Sequence, residues 1–298
     1  MTNGTPAALP PLFGSSHLET GLVGPYQETD RRIIDYQQVM LAGHAFRGPL
    51  PARLYSKELI GFIGAAQTFG RFARVPFPTL VGSMLSRDVL NLGYAGAGPD
   101  FYLNNKVLLS LLSNCKVVVV QVMSGRSVSN SVFESLMGRN VLRRRFDNKR
   151  MTDGPAYEWY RKEKGGEAAL DLVRETQENW VKSMIQLAHA IQTKTILFWF
   201  SERSTDFEPK GGSFQELMGE FPHLVSTEMI ERVMGHFDAY ATCVSQRGLP
   251  QPLIDRHTGE PVEVYFAGAS RARNIYYPSP SMHVDAAMSL EDPLKALL

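Results

Sequence analysis

The chain has 298 residues, 44% of them hydrophobic and 20% charged, with 25 glycines and 18 prolines. That is ordinary globular composition, long enough for a sizeable core, and it excludes a disordered, collagenous or coiled-coil chain. Its 31 basic and 30 acidic residues nearly cancel, so no bulk field points to nucleic acid or to a membrane surface as partner. Two cysteines, Cys115 and Cys243, are too few for a zinc site or a disulfide framework, and the expected compartment is the cytoplasm. Residues 1–28 lack the basic start and apolar stretch of a targeting signal. The longest apolar runs, 117–120 and 196–200, are too short to span a bilayer.

In chain order, residues 1–56 read as an N-terminal extension. Short apolar runs then recur at 59–63, 89–92, 117–123 and 195–200, each closed by a turn or polar residue, and these predict buried parallel strands. Helical stretches lie between them at 79–85 and 103–112. Leu170, Val173, Trp180, Met184, Leu187 and Ile191 trace one face of a helix leading into the fourth strand. A helix over about 226–244, a short strand at 262–266 and a last helix over about 282–297 complete the pattern. Such alternation over residues 57–298 predicts an α/β three-layer sandwich around a mainly parallel sheet. The charged, Gly-interrupted segment 139–166 reads as an insertion or lid.

Ligands of an open parallel sheet bind beyond the carboxyl ends of its strands. Three flexible loops stand at such ends: Gly64-Ala65-Ala66-Gln67-Thr68-Phe69-Gly70, Gly93-Tyr94-Ala95-Gly96-Ala97-Gly98, and Ser124-Gly125-Arg126-Ser127-Val128-Ser129-Asn130. Glycines let backbone N–H groups approach a ligand closely, although strand ends also need them merely to turn. Arg126 suits an anion because a guanidinium reads phosphate, sulfate or carboxylate in bidentate fashion; a surface arginine is the plainer reading. Ser129 and Asn130 suit a ligand or a helix cap equally. His283 has a side chain suited to acid–base work, or else a packed place at a helix start.

These loops carry a resemblance. Gly64-x-x-x-Thr68-x-Gly70 and Asn91-Leu92-Gly93-x-x-Gly96 look like the first two blocks of the SGNH (GDSL-type) hydrolase superfamily. Tyr277-Pro278-Ser279-x-x-Met282-His283 is similar to its closing block. More closely, the chain resembles an uncharacterised bacterial family, a domain of unknown function, through Phe46-Arg47-Gly48-Pro49, Gln67-Thr68-Phe69-Gly70, Val120-Gln121-Val122, the helix around Trp180 and Phe198-Trp199-Phe200-Ser201.

The SGNH resemblance implies a flavodoxin-like sheet and a ligand site drawn from Gly64, Thr68, Asn91, Gly93, Gly96, Arg126, Ser129 and Asn130, with His283 as the one candidate catalytic group. It also exposes departures. The nucleophilic serine is replaced by Ala66, the base histidine by Tyr277 and the orienting aspartate by Asn274. A methyl is no nucleophile, and a tyrosine with a pKa near 10 is a poor base at neutral pH. Rebuilding a triad would therefore need all three residues together.

The expectation is a degenerate or repurposed protein binding a small polar, anionic or glycan ligand without a cofactor. If it is an enzyme, the resemblance implies a transferase in polysaccharide modification rather than a serine esterase. Two alternatives stay open. Gln121-x-x-x-x-Arg126-x-x-Ser129 resembles the 3′-phosphate segment of sulfotransferases that use phosphoadenosine phosphosulfate, although the Gly64–Gly70 loop lacks their cation. The other is a non-enzymatic binding or scaffold protein. Arg143, Arg144, Arg145, Lys149 and Arg150 form a basic cluster that reads as a solvated face or as a lid over an anion. Glu202-Arg203 either lines the pocket or pairs on the surface.

Overall fold

The computed structural model describes residues 30–266 and 268–298; the targeting reading of residues 1–28 lies outside them. Strands β1 (Val39–Leu41) and β2 (His44–Phe46) form an antiparallel hairpin. Its Leu41 and Phe46 are buried in the same core as Val118 and Trp180, so residues 39–46 are part of the main body. Next, β3 (Ile60–Ile63) runs into a one-turn helix α1 (Ala66–Phe69) and then α2 (Phe77–Leu85). After β4 (Val89–Asn91) come α3 (Pro99–Leu103) and α4 (Lys106–Ser113).

β5 (Val117–Gln121) is followed by a small antiparallel sheet of β6 (Phe133–Ser135), β7 (Val141–Arg144) and β8 (Arg150–Thr152). Helices α5 (Asp153–Lys164) and α6 (Gly166–Ala190) lead to β9 (Lys194–Ser201). Then come α7 (Phe214–Met218), α8 (Thr227–Met234) and β10 (Ala239–Val244). Two short antiparallel pairs, of β11 (Gln251–Pro252) with β14 (Arg273–Asn274) and of β12 (Val264–Phe266) with β13 (Ala269–Arg271), precede α9 (Pro280–Leu297).

Five strands make one parallel sheet in the order β10-β9-β5-β3-β4, a doubly wound arrangement whose direction reverses between β3 and β5. Val117, Val118, Val119 and Val120 are fully buried, as β-branched residues are when helices cover both faces of a sheet. One face packs under α3, α4, α6 and α8 through residues such as Leu112, Trp180 and Val233. The other packs under α2 and α9 through Phe77, Val81, Ala286 and Leu290. This is the expected three-layer α/β fold. Among the described residues no helix is long and apolar enough to cross a membrane.

Two expected elements differ. The single helix over 226–244 is α8 followed by β10, a fifth parallel strand beside β9. Along β10 exposed and buried residues alternate with a period of two, which the small Ala239, Ala241 and Cys243 mask as a continuing helix. The strand at 262–266 belongs to a local hairpin instead of the main sheet. Segment 139–166 holds β7, β8 and α5, and it is stitched to the loop after β4 by Gly98 N–H to Gly138 O and Asn140 N–H to Gly96 O.

Candidate functional site

The loop after β3 is held from behind. Gln121, the fully buried last residue of β5, accepts with Oε1 from Ala65 N–H and from Thr68 Oγ1, both at 3.0 Å. The Tyr102 hydroxyl accepts from Gly64 N–H at 3.1 Å and lies 2.7 Å from Gly64 O. Asn91 Nδ2 donates to Thr68 O, and Arg47 donates to Phe69 O, Gly70 O and Arg74 O. Arg47 thereby satisfies carbonyls that α1 leaves open at its end. A Cβ on Gly64 would meet Thr68 Oγ1 at 2.3 Å, and one on Gly93 would meet Phe69 N at 2.2 Å. These clamps place the loop at the switch point of the sheet.

In front of the loop is a cavity of about 250 Å³. It is built from the ends of the three central strands: Ala65, Ala66 and Gln67 after β3, Tyr94–Ala97 after β4, and Ser124, Arg126 and Ser127 after β5. Arg139, Asn140 and Asp153 close it from the insertion, and Phe221, Tyr276 and Tyr277 from the far side. Arg126 Nε lies 2.6 Å from Asp153 Oδ2. Burial raises the pKa of Asp153, against the attraction of Arg126. Arg139 lies over the Tyr94 ring at 5.0 Å. Gln67 and Ser124 are 3% and 6% exposed, yet Gln67 Oε1 and Ser124 Oγ have no hydrogen-bond partner, and neither has Arg139 Nε. Two guanidinium groups against one carboxylate leave the cavity positive.

A second cavity of about 170 Å³ adjoins it and shares Gln67, Phe221 and Tyr276 as lining. Its other walls include Ser201, Glu202, Gln215, Glu220 and His223. His223 Nδ1 lies 2.6 Å from Gly219 O, which can only accept, so Nδ1 carries the proton and Nε2 accepts from the Tyr276 hydroxyl at 3.1 Å. Burial, with Arg126 nearby, holds the His223 pKa well below the usual value. Burial likewise pushes Tyr276 up to about 12. Glu202 is pushed up to about 7 by burial and by Glu220.

The positions of the superfamily's triad serve other ends here. Ala66 lines the first cavity with a methyl. Tyr277 takes a hydrogen bond from Arg71 at 2.9 Å. Asn274 Oδ1 accepts from the N–H groups of Tyr276 and Tyr277, while its Nδ2 donates to Tyr277 O and Gln251 Oε1. Asn274 is a turn organiser that uses its amide as both donor and acceptor.

The structure brings only part of the expected residue set to this cavity, and packs Gly64, Thr68, Asn91 and Gly93 on one another behind it. Of them, Gly96 and Arg126 line the cavity. Gly64 and Gly93 serve close packing, and Thr68 points to Gln121. Asn91 lies on the wall of a separate groove of about 780 Å³ along the β4 side, with its amide engaged by Thr68 O and Gly93 N–H. Ser129 Oγ accepts from Ser135 N–H. Asn130 holds Tyr157, Thr176 and two backbone N–H groups under the insertion. His283 is fully buried, its Nδ1 accepts from Phe77 N–H at 3.2 Å, and burial drives its pKa down to about 3.

The basic cluster also faces elsewhere: Arg143 pairs with Glu134, Arg144 with Asp147, and Arg145 donates to Asn130 O. Arg139 stands on the wall of the first cavity instead. Sequence reasoning missed Arg139, Asn140 and Asp153, which no spacing tied to the sheet. It quoted Gln67 and Ser124 in their loops without assigning them a role.

The family model described as a domain of unknown function, DUF6473, matches residues 25–146 and 163–298. The chain belongs to that family. In this DUF6473 chain the unmatched residues 147–162 include Asp153, so the carboxylate beside Arg126 comes from a stretch outside the family model. No curated protein matches the sequence.

Several solved structures are similar in fold. A family two carbohydrate esterase from Clostridium thermocellum in complex with cellohexaose is 10% identical, with a TM-score of 0.40 over 87% of this chain and 70% of that one. A catalytic mutant of Axe2, an acetylxylan esterase from Geobacillus stearothermophilus, is 12% identical with a TM-score of 0.39 over 81% and 94%. A lipase from a goat rumen metagenome is 13% identical with a TM-score of 0.37 over 80% and 96%.

Proposed function

We propose that this DUF6473 protein binds a small ligand carrying a phosphate, sulfate or carboxylate group in the cavity beyond β3, β4 and β5. The observation that carries the reading is the buried, unpartnered hydroxyl of Ser124 on the wall of a cavity that also presents two guanidinium groups. A buried polar atom without a partner costs about 1–3 kcal/mol, and a ligand that satisfies it recovers that cost. Arg126 and Arg139 supply charge-assisted donors, and the Ser124 hydroxyl adds a neutral one. Among the described residues the lining of this cavity includes no histidine and no cysteine. Serine-type ester hydrolysis therefore has no histidine relay in this lining, and the reading is one of ligand binding. The nucleotide reading draws no support from Ser129, whose hydroxyl is taken by Ser135.

The test is a thermal-shift titration with phosphate, sulfate and chloride at matched ionic strength. A ligand specific to the folded state stabilises by mass action, about 2.7 kcal/mol at a hundred times Kd. Phosphate or sulfate should raise Tm where chloride does not, and Arg139→Gln should weaken the effect about tenfold. Equal shifts from all three salts would refute the reading.

A further inference from the structure

We infer that the two adjoining cavities are one divided site, in which the arginine side takes a phosphate or sulfate ester and the Glu202 side takes an amine or hydroxyl of the same molecule. An amino-sugar ester is the class that fits. This rests on the proposed anion site and extends it to the rest of the ligand.

Size is the first argument. At about 250 and 170 Å³, each cavity is smaller than a usual small-molecule site of roughly 300–1,000 Å³, whereas together they reach that range. They share Gln67, Phe221 and Tyr276, so a ligand filling both would cross these three residues.

Charge is the second. The first cavity has two guanidinium groups against one carboxylate, while the second has Glu202 and Glu220 and no cation among its described lining residues. Arg203 attracts Glu220 from outside this lining, but its guanidinium donates to the carbonyls of Ser204, Glu220, Pro222 and Val225 rather than to either carboxylate. A ligand anionic at one end and cationic or donor-rich at the other matches this polarity.

The third argument is Gln67. It is 3% exposed and belongs to both linings, and its unpartnered Oε1 can only accept. An anion cannot satisfy it, whereas an N–H or O–H on the ligand's body can. The Tyr276 hydroxyl does not compete as a donor, since its proton is committed to His223 while Arg126 engages its oxygen. At the shared wall the open group is thus the Gln67 acceptor, and the ligand must bring a donor.

The experiment is calorimetric titration of the full-length protein at fixed pH and ionic strength. The probes are inorganic phosphate, glucose and glucosamine 1- and 6-phosphates, and glucosamine 6-sulfate. At least one glucosamine phosphate should bind about tenfold more tightly than its glucose counterpart and than phosphate itself. Comparing the 6-sulfate with the 6-phosphate identifies the ester. Glu202→Gln should erase the amine preference and leave the Kd of inorganic phosphate unchanged. Arg139→Gln should weaken every ester and keep the preference. Melting curves recorded alongside separate a folding defect from a binding one. If phosphate binds but no glucosamine ester gains over glucose, or the gain survives Glu202→Gln, this inference falls and the anion site stands. If no anion binds, the anion site falls as well.

Discussion

Arg71 donates to the Tyr277 hydroxyl at 2.9 Å. The same guanidinium makes two bonds to Asp30, at 2.8 and 3.0 Å, and lies over the rings of Phe72 and Tyr277. Arg71 and Asp30 are 2% and 0% exposed. Tyr277 is thus tied to a buried ion pair with the N-terminal segment, and its role at the cavity wall is positional.

Removing one partner of that pair strands the other charge. Asp30→Ala should cost about 3–5 kcal/mol, the usual penalty for a buried ion left alone. Urea denaturation would show it as a lower midpoint, and an unchanged midpoint would mean that Arg71 finds another partner.

Restoring a triad at Ala66, Tyr277 and Asn274 should fail for a structural reason. A carboxylate at position 274 cannot donate to Tyr277 O or Gln251 Oε1, so Asn274→Asp should destabilise by about 1–3 kcal/mol. The triple variant Ala66→Ser, Tyr277→His, Asn274→Asp should hydrolyse p-nitrophenyl acetate no faster than the wild type. Turnover well above buffer by the triple variant would contradict this.

The wild type should resist serine-directed fluorophosphonates. Ser124 and Ser127 line the cavity, but no histidine lines it among the described residues, and His223 Nε2 is occupied by Tyr276. Intact-mass measurement after prolonged incubation should show no adduct; a stoichiometric one would reveal an activated hydroxyl.

Glu202 gives a stability signature with a definite sign. Its pKa is raised from 4.5 to about 7, so between those values the folded state holds more protons than the unfolded chain. Its contribution to stability therefore declines as pH rises through that window. Glu202→Gln should match the wild type near pH 4 and exceed it at pH 8 by about 1 kcal/mol, allowing for partial solvent access. Paired denaturation curves at the two pH values provide the check, and a constant difference between them would count against a raised pKa.

The sheet was legible because its central strands are short, wholly apolar and closed by turns. β10 was not, because it carries small residues with one face exposed. Of the site, Arg126 was legible from its place at a strand end. Thr68 and Asn91 drew attention by residue type, yet their polar atoms are spent on neighbouring backbone or on Gln121, and His283, with Nδ1 on Phe77 N–H and Nε2 buried without a partner, lies away from the cavity lining. The family-like signatures around Arg47 and Gln121 turn out to be supports of the loop behind the cavity. Arg139 and Asp153 arrive from the insertion through tertiary contacts, and local periodicity carries no trace of such contacts.

The supports of the loop after β3 grip mainly its backbone: Gly64 through Tyr102, Ala65 through Gln121, Thr68 through Asn91, and Phe69 and Gly70 through Arg47. None of these bonds reads the side chain at position 65 or 66. Chemistry and architecture are therefore separately heritable at this spot. A lineage could change the residue at position 66 without breaking any of these bonds, whereas a partner for it at position 274 would have to replace the turn that Asn274 holds.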